Sequence, residues 1–575
     1  MTPLDWFVVG IYLVGMIALS VVVARGQSDR RDYYLGGNRS GATAIALSTM
    51  ATQCSTNSIL GAPAFVAFSV GGGLLWLQYE LAVPLAMIVI MALLLPTFRS
   101  LALVSVYEYL ERRFGLATRI TLSLLFQAIR AFATGVTVYG VGLVMAVCLE
   151  TDFVTAVILL GVVTVIYDAI GGMRAVIVSD VIQLIVLFGA ILLAIAVAVD
   201  VLGGVDAVFA AVPAERLVAV DFAHTGWGDG QDYAFWPMLV GGLFLYVSYY
   251  GCDQSQTQRL LATRSVADGN RALLLNGLLR FPLVLSYCLL GVCLAAYAAA
   301  DPEFLSRLPT RETGAGEQVP NFNLAMPQFV FEQFPPGLVG LVMVGLFAAA
   351  MSSLDSVLNA LSATTMEDLV RRFRRVPLGE RAEFLAAKAL TVFWGVITVA
   401  MAFFVDDIAD SVLVAINKIG SLVNGPLLAV FLLGLLTRRV DQRGVLLGLA
   451  AGFGLDLWLW LAHPEISWLW WNLTGFLATV VTALLLSGRR NGHRDGKLGE
   501  QAAEQPREPF GDPATERPPR AAGQRPASSA ATHTGTGHPP FARDGLERTW
   551  WTSYAVLLAW AAVILAVSLG FTAIA

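Results

Sequence analysis

One hydrophobic stretch, residues 345–369, carries polar side chains at a depth where a lipid-facing helix would have only apolar ones. Four of them are spaced three and four residues apart and share one helix face: Ser352, Asp355, Ser356 and Asn359. A carboxylate in mid-membrane is costly unless it faces a cavity, a partner or an ion. Hydroxyls beside a carboxylate suit a small hard cation. The alternative is a serine-lined seam between packed helices, and the carboxylate of Asp355 argues against it.

Composition places most of the chain in a membrane. Charged residues make up 14% of the 575 residues and hydrophobic residues 57%, whereas about a quarter of an average soluble protein is charged. The first apolar run, 4–24, has no basic residue before it and Arg25 after it, the reverse of a secretory signal peptide. We therefore expect a retained first helix that begins outside the cytoplasm.

Fourteen segments are long and apolar enough to span a bilayer. They are 4–24, 43–71, 74–96, 116–149, 153–171, 175–203, 234–256, 270–300, 336–368, 384–405, 410–437, 442–462, 467–487 and 549–574. If they alternate, arginines such as Arg25, Arg259, Arg371 and Arg439 fall in loops on one side, which places both termini outside the cytoplasm. We predict a multi-pass protein of the plasma membrane (a bacterial inner membrane) that functions as a monomer and binds no nucleic acid.

The segments divide the chain into six predicted regions. These are a first peripheral helix with a basic loop (1–42), a first five-helix repeat (43–203), a second five-helix repeat with outside loops (204–437), two flanking helices (438–487), a linker (488–548) and a last peripheral helix (549–575). The linker is rich in Pro, Gly, Arg, Glu and Thr and has few large apolar residues. Such a composition cannot bury enough surface to fold alone, so we expect it to be disordered.

Two segments have polar interruptions, and each opens one of the five-helix sets. The second segment places polar residues at mid-depth before Gly61 and Pro63: Gln53, Ser55, Thr56, Asn57 and Ser58. The seventh contains Tyr246 and Tyr249, then Asp253. Unwound helices at corresponding positions of two halves indicate a transporter's binding site. Either interruption alone is also consistent with a Gly/Pro kink that has no function.

Several charged residues fall within predicted spans. Arg130 lies deep in the fourth segment, so its fork of donors faces either an anionic substrate or a structural partner such as Glu80. Asp180 begins the sixth segment and is either a cation ligand or a surface cap. Glu80 and Arg280 also lie near the interior of spans, where each is expected to pair with another group.

Four motifs give the chain a resemblance to the sodium/solute symporter family. They are DYYLGGNRS, YDAIGGMRAVIVSDVIQ, AAAMSSLDSVLNALSATTMEDL and SLVNGPLLAVFLLGLLTRR, and the resemblance covers most of residues 1–487. It implies an all-α integral membrane protein of about fourteen helices, with the LeuT-type 5+5 inverted repeat, flanking helices and alternating access.

The resemblance also implies site residues. The main sodium site would use carbonyls of Ala51, Cys54 and Ala349 with hydroxyls of Ser352 and Ser353. A second cation site would use Asp180, Asp355 and Ser356, and the unusual Asp355 would either strengthen a second sodium site or make it protonatable. The substrate pocket would draw on the following residues: Gln53, Ser55, Asn57, Ser58, Glu80, Arg130, Tyr246, Tyr249, Arg280 and Asn417.

We therefore expect a sodium-coupled secondary active symporter, with Na⁺ as the coupling ion, that imports a small polar solute. Arg130 favours an organic anion, such as sialic acid or another carboxylate, and a sugar or polyol symporter is the alternative. A channel and a membrane sensor are alternatives of another class. An enzyme is not expected, because the chain has no metal-ligand spacing or nucleophile–base constellation.

Overall fold

The computed structural model describes residues 1–312, 318–404, 412–488 and 550–575. The predicted linker 488–548 lies outside the described residues except for Gly488. Within the described part, a two-stranded antiparallel hairpin, β1 Thr310–Glu312 and β2 Gln318–Pro320, interrupts an otherwise helical chain. The predicted all-α membrane fold is confirmed.

The helices of the first half contain the first interrupted segment and the longest helix. They are α1 Pro3–Val23, α2 Arg30–Leu35, α3 Ala42–Gln53, α4 Ala62–Phe68, α5 Ala82–Val89, α6 Leu95–Ser100, α7 Tyr107–Arg113, α8 Leu116–Cys148, α9 Phe153–Leu202 and α10 Val205–Ala211.

The helices of the second half contain the other interrupted segment and the polar stripe. They are α11 Gly242–Cys252, α12 Gln254–Leu261, α13 Val266–Ala300, α14 Ala325–Gln333, α15 Leu338–Thr364, α16 Arg371–Phe373, α17 Glu380–Ala402, α18 Val412–Leu436, α19 Gln442–Ala462, α20 Trp471–Leu486 and α21 Trp551–Ile574. Single π-helical turns, Asn57–Gly61, Pro237–Gly241 and Thr365–Val370, lie next to α4, α11 and α15.

The number of spans agrees with the predicted fourteen. Ten described helices are long and apolar enough to cross a membrane, and three shorter apolar helices accompany them. One of the ten, α9, breaks at Gly172, where φ is +53° and ψ is −160°. A Cβ there would lie 2.6 Å from the carbonyl oxygen of Tyr33, so only glycine fits. The break separates the predicted segments 153–171 and 175–203.

Both predicted interruptions are present. Helix α3 ends at Cys54, whose ψ of 75° leaves the helical range, and the span resumes with the π-helical turn before α4. Helix α11 ends at Asp253, an extended residue whose side chain accepts a hydrogen bond from the Ser255 amide at 2.8 Å and so caps α12. The chain therefore leaves its helical path twice inside the bundle.

Helix α15 lies at the centre and packs against α1, α3, α8, α9, α12 and α17. Its polar stripe is buried, since Asp355, Ser356 and Asn359 are 0% exposed. At its first turn, the Asp5 carboxylate accepts hydrogen bonds from the amides of Gly337 and Gly340 at 2.7 and 2.8 Å. These bonds satisfy donors that a helix start leaves free.

The other end of α15 is fixed by ion pairs. The Asp368 carboxylate is fully buried and contacts the Arg119 guanidinium at 2.6 Å, and it also accepts hydrogen bonds from the hydroxyls of Ser105 and Ser123. Nearby, Arg372 pairs with Glu111 at 2.9 Å, but its side chain is 43% exposed. The network joins the end of α15 to α7 and α8.

These two ion pairs, one buried and one more exposed, test how strongly burial increases the stability lost when a pair is broken. Asp368→Ala leaves Arg119 with a weakened set of partners in a buried site, and we expect a loss of about 3–5 kcal/mol of unfolding free energy. Arg372→Ala breaks a more exposed pair and should cost less than about 1 kcal/mol. Chemical unfolding in detergent micelles measures both, and equal losses would contradict the assigned roles.

Candidate functional site

The break of α3 faces two serine hydroxyls of α15. Ser352 Oγ lies 3.2 Å from the Ala51 carbonyl oxygen and 3.2 Å from that of Ala349. Ser353 Oγ lies 3.2 Å from the Thr52 carbonyl oxygen and 3.3 Å from that of Ala349. Two hydroxyls and three carbonyls thus gather where α3 unwinds, a set that suits a small hard cation. We call this group the oxygen cage.

The oxygen cage contains four of the five residues predicted for the main sodium site. The fifth, Cys54, is the residue at which α3 leaves helical geometry. The Thr52 carbonyl was not predicted, although its position one residue before Gln53 places it in the same exposed final turn. Sodium binding by these residues stays a prediction.

The residues predicted for the second cation site lie one helical turn from the oxygen cage, together with a guanidinium. Arg259, on α12, donates to Asp180 Oδ2 at 3.0 Å and also to Ser356 Oγ. Arg259 was expected in a loop, and this expectation is wrong, because the residue lies on α12 and its side chain is 0% exposed. Asp180 is likewise buried and is not a surface cap.

Asp355 faces α9. Its carboxylate accepts hydrogen bonds from the hydroxyl of Tyr167 and, at 3.0 Å, from that of Ser356. The next residue on α9, Asp168, is 0% exposed, and neither of its carboxylate oxygens has a hydrogen-bond partner within bonding geometry in the described structure. Neither Tyr167 nor Asp168 was predicted as a site residue, although both belong to the motif YDAIGGMRAVIVSDVIQ.

Among the predicted substrate residues, three form a closed cluster. Arg280 binds Glu80 through two hydrogen bonds of 2.8 and 3.1 Å, and the Tyr246 hydroxyl lies 3.3 Å from Glu80 Oε1. Both charged side chains are almost fully buried, 7% and 1% exposed. Their pairing with each other was not predicted, since the sequence indicates only that each needs a partner within the spans.

Arg130 pairs with a buried acid, Asp253, and not with Glu80. Its Nε donates to Asp253 Oδ2 at 2.6 Å, and a terminal nitrogen contacts the same oxygen. Its guanidinium also lies 5.1 Å from the ring centre of Tyr249. Glu80, named in the sequence analysis as a candidate partner, is engaged by Arg280 instead. The Arg130 side chain is 23% exposed, more than either member of the Glu80–Arg280 pair.

The tyrosines of α11 connect these two clusters. The Tyr250 ring lies 6.1 Å from that of Tyr246 and 5.5 Å from that of Tyr249. Three more predicted pocket residues, Gln53, Ser55 and Ser58, are on the other interruption. There the Ser58 amide donates to the Ser55 carbonyl at 2.8 Å, and Gln53 Oε1 is buried with no hydrogen-bond partner among the described residues. The side chains of the predicted residues Asn57 and Asn417 lie outside the described part of the structure.

The chain is similar to known membrane transporters over most of its length. The sodium:solute symporter family profile matches residues 33–452. The chain is 31% identical to the human sodium/iodide cotransporter over 77% of this chain and 67% of the relative. It is 30% identical to human sodium-coupled monocarboxylate transporter 1, over 79% and 73%. It is 28% identical to the sodium/sialic acid symporter NanT of Aliivibrio fischeri, over 84% and 92%.

A solved structure has the same fold. A Na⁺-coupled sialic acid symporter in a substrate-bound outward-open state aligns with a TM-score of 0.74 at 22% identity. The alignment covers 84% of this chain and 98% of the other. The described elements therefore share the fold of that structure over nearly its whole length.

The oxygen cage generates a prediction about ion dependence. Ser352→Ala and Ser353→Ala each remove one ligand oxygen, so we expect each to raise the sodium concentration for half-maximal solute uptake about tenfold. Ser362→Ala is the matched control, because Ser362 is equally buried on α15 but donates to the Ala387 carbonyl, away from the oxygen cage. An unchanged sodium dependence in the Ser352/Ser353 double variant would refute the assignment.

Proposed function

Because this chain belongs to the sodium:solute symporter family, we propose that it imports a small organic anion together with sodium by alternating access. The observation that carries the sodium part is the oxygen cage, where two serine hydroxyls of α15 meet carbonyls of the unwound α3. An ion that joins α3 to α15 stabilises the conformation in which they are close. Its differential affinity for the two conformations supplies the coupling.

The proposed substrate charge rests on Arg130. Of the three arginines paired with acids near the interruptions, Arg280 is 7% exposed and Arg259 is 0% exposed, whereas Arg130 is 23% exposed. Both of its contacts with Asp253 end on one oxygen, Oδ2, while Oδ1 accepts hydrogen bonds from Ser255. The guanidinium therefore retains donors that an incoming carboxylate can accept.

The names of the relatives support the same substrate class. Iodide, monocarboxylates and sialic acid all carry a negative charge at neutral pH, and they are named for three of the similar transporters. A carboxylate also suits the planar fork of Arg130, and the neighbouring Tyr249 ring offers an apolar face. We therefore favour a small carboxylate over a sugar or polyol.

Uptake into proteoliposomes tests the proposed transport. An inward sodium gradient should speed the uptake of a labelled carboxylate and raise its concentration inside the vesicles above that outside. An equal potassium gradient should do neither. Pyruvate, lactate, sialic acid and a neutral sugar form the substrate panel. Uptake that reaches the same equilibrium with or without a sodium gradient would indicate a channel or facilitator. Sodium-driven uptake of the neutral sugar alone would refute the proposal of an anionic substrate.

Arg130 and Asp253 provide a test of substrate charge. Arg130→Lys loses the fork but keeps the charge, so we expect the affinity for the carboxylate to fall about tenfold while the half-saturating sodium concentration is unchanged. Asp253→Asn retains an amide oxygen able to cap α12 but removes the competing charge, so carboxylate affinity should rise. The amide analogue of the same substrate is the control, and its affinity should respond to neither variant. If both variants weaken carboxylate and amide alike, Arg130 has a structural role.

A further inference from the structure

A basic segment follows the end of the central helix α15. Residues 371–381 comprise α16, the connection to α17 and the first residues of α17, and we call them the arginine segment. Residues 371–377 are all exposed. The segment has a single acid, Glu380, and the following arginines: Arg371, Arg372, Arg374, Arg375 and Arg381. A concentration of positive charge on an exposed surface attracts negatively charged partners.

Ion pairs within the protein neutralise only part of this charge. Arg371 and Arg372 pair with carboxylates of neighbouring elements at distances of 2.9 to 3.0 Å. Arg374 donates to a backbone carbonyl at 3.2 Å, and a carbonyl carries no net charge. Arg375 and Arg381 make no hydrogen bond or ion pair with any residue that the structure describes. Three of the five arginines are therefore available to an anionic partner.

Large apolar side chains lie between these arginines. Phe373 is 61% exposed and Val376 is 71% exposed. Both are within two residues of Arg374 and Arg375 in the chain. This combination is typical of a segment in the membrane interface, where apolar side chains enter the acyl region and arginine side chains extend to the level of the phosphates.

Helix α17 indicates the depth of the arginine segment in the membrane. Leu385, Val392 and Val396 of this candidate span are 57%, 42% and 61% exposed. Spacings of seven and four residues place them on one helix face, which in a spanning helix contacts acyl chains. Arg381 is four residues before Leu385 on the same face, so its charge marks the level at which α17 leaves the acyl region. The arginine segment therefore lies at the level of the lipid headgroups.

We propose that the arginine segment is a docking surface for anionic phospholipid. Its guanidinium groups bind the lipid phosphates, and the side chains of Phe373 and Val376 enter the acyl region beside them. The occupant is a lipid and not a free anion, because the charged surface continues into exposed apolar side chains and then into the lipid-facing side of α17. The surface is separate from the oxygen cage and from Arg130, so the proposal does not depend on the proposed transport.

A fluorescent label in the segment tests the proposal. Val376→Cys in the full-length protein is labelled with an environment-sensitive fluorophore, and the five native cysteines are buried. The protein is reconstituted at low salt in phosphatidylcholine vesicles that contain increasing fractions of phosphatidylglycerol. We expect the label emission to shift to the blue, and brominated acyl chains to quench it, as the phosphatidylglycerol fraction rises. High salt should reverse both effects, because it screens the attraction.

Charge variants in this labelled background locate the lipid site. Arg374→Gln/Arg375→Gln should require at least about fivefold more phosphatidylglycerol for the half-maximal shift. Arg374→Lys/Arg375→Lys keeps the charge and should stay within about twofold. Arg271→Gln/Arg443→Gln, which removes two exposed arginines elsewhere, is the matched control and should also stay within about twofold. All six substitutions are at exposed positions, where folding is little affected.

Three results would overturn the proposal. The first is an emission typical of water at every phosphatidylglycerol fraction, because the segment would then lie away from the lipid. The second is an equal response of the glutamine variant and the matched control, because the lipid dependence would then follow net charge and not this surface. The third is a label that is already shielded in phosphatidylcholine alone and unaffected by the glutamine variant, because another segment of the chain would then cover the surface.

Discussion

The fold depends on the contact between a broken helix, α3, and a polar one, α15. Where α3 unwinds, the carbonyls of Ala51 and Thr52 lose their helical partners, and lipid offers no replacement. Where α15 crosses the bundle, its hydroxyls cannot face lipid without cost. The contacts of Ser352 and Ser353 with these carbonyls meet both needs. Each element thus satisfies polar groups that the other would leave without a partner.

Buried arginine–acid pairs fix the elements around this contact. Arg259 with Asp180 joins α12 to α9, Arg130 with Asp253 joins α8 to the end of α11, and the third pair joins α13 to the turn that carries Glu80. Removing one partner of a buried pair is costly, because the other charge is then left buried and unpaired. Forming the pair, by contrast, adds little net stability. The pairs therefore specify which helices are neighbours, and the two interruptions are held in place by charges that cannot be exchanged for water.

The sequence was sufficient for the features that follow from periodicity and burial. The stripe on α15, the two interruptions and Ser352 and Ser353 could be predicted, because a polar residue in an apolar span has to face the protein interior, a partner or an ion. Which charged residues pair across helices could not be predicted. Arg259 lies six residues beyond the break at Asp253, and the positive-inside rule assigns such an arginine to a loop. Only the fold shows that the short helix α12 turns back into the bundle and buries the side chain. Asp253 was visible as a polar residue, but nothing in its spacing connects it to Arg130.

The position of Arg259 limits how helices α3 and α15 can separate. Ser48 and Ser356 lie about one helical turn from the residues of the oxygen cage, and the guanidinium contacts both hydroxyls. Helices α3 and α15 are thus joined at that level by a permanently charged side chain. A movement that separates α3 from α15 at this level has to break the hydrogen bonds of a buried charge, which is costly. The contacts of the oxygen cage are hydroxyl to carbonyl and involve no charged side chain, so α3 and α15 can part there at a lower cost than at Arg259.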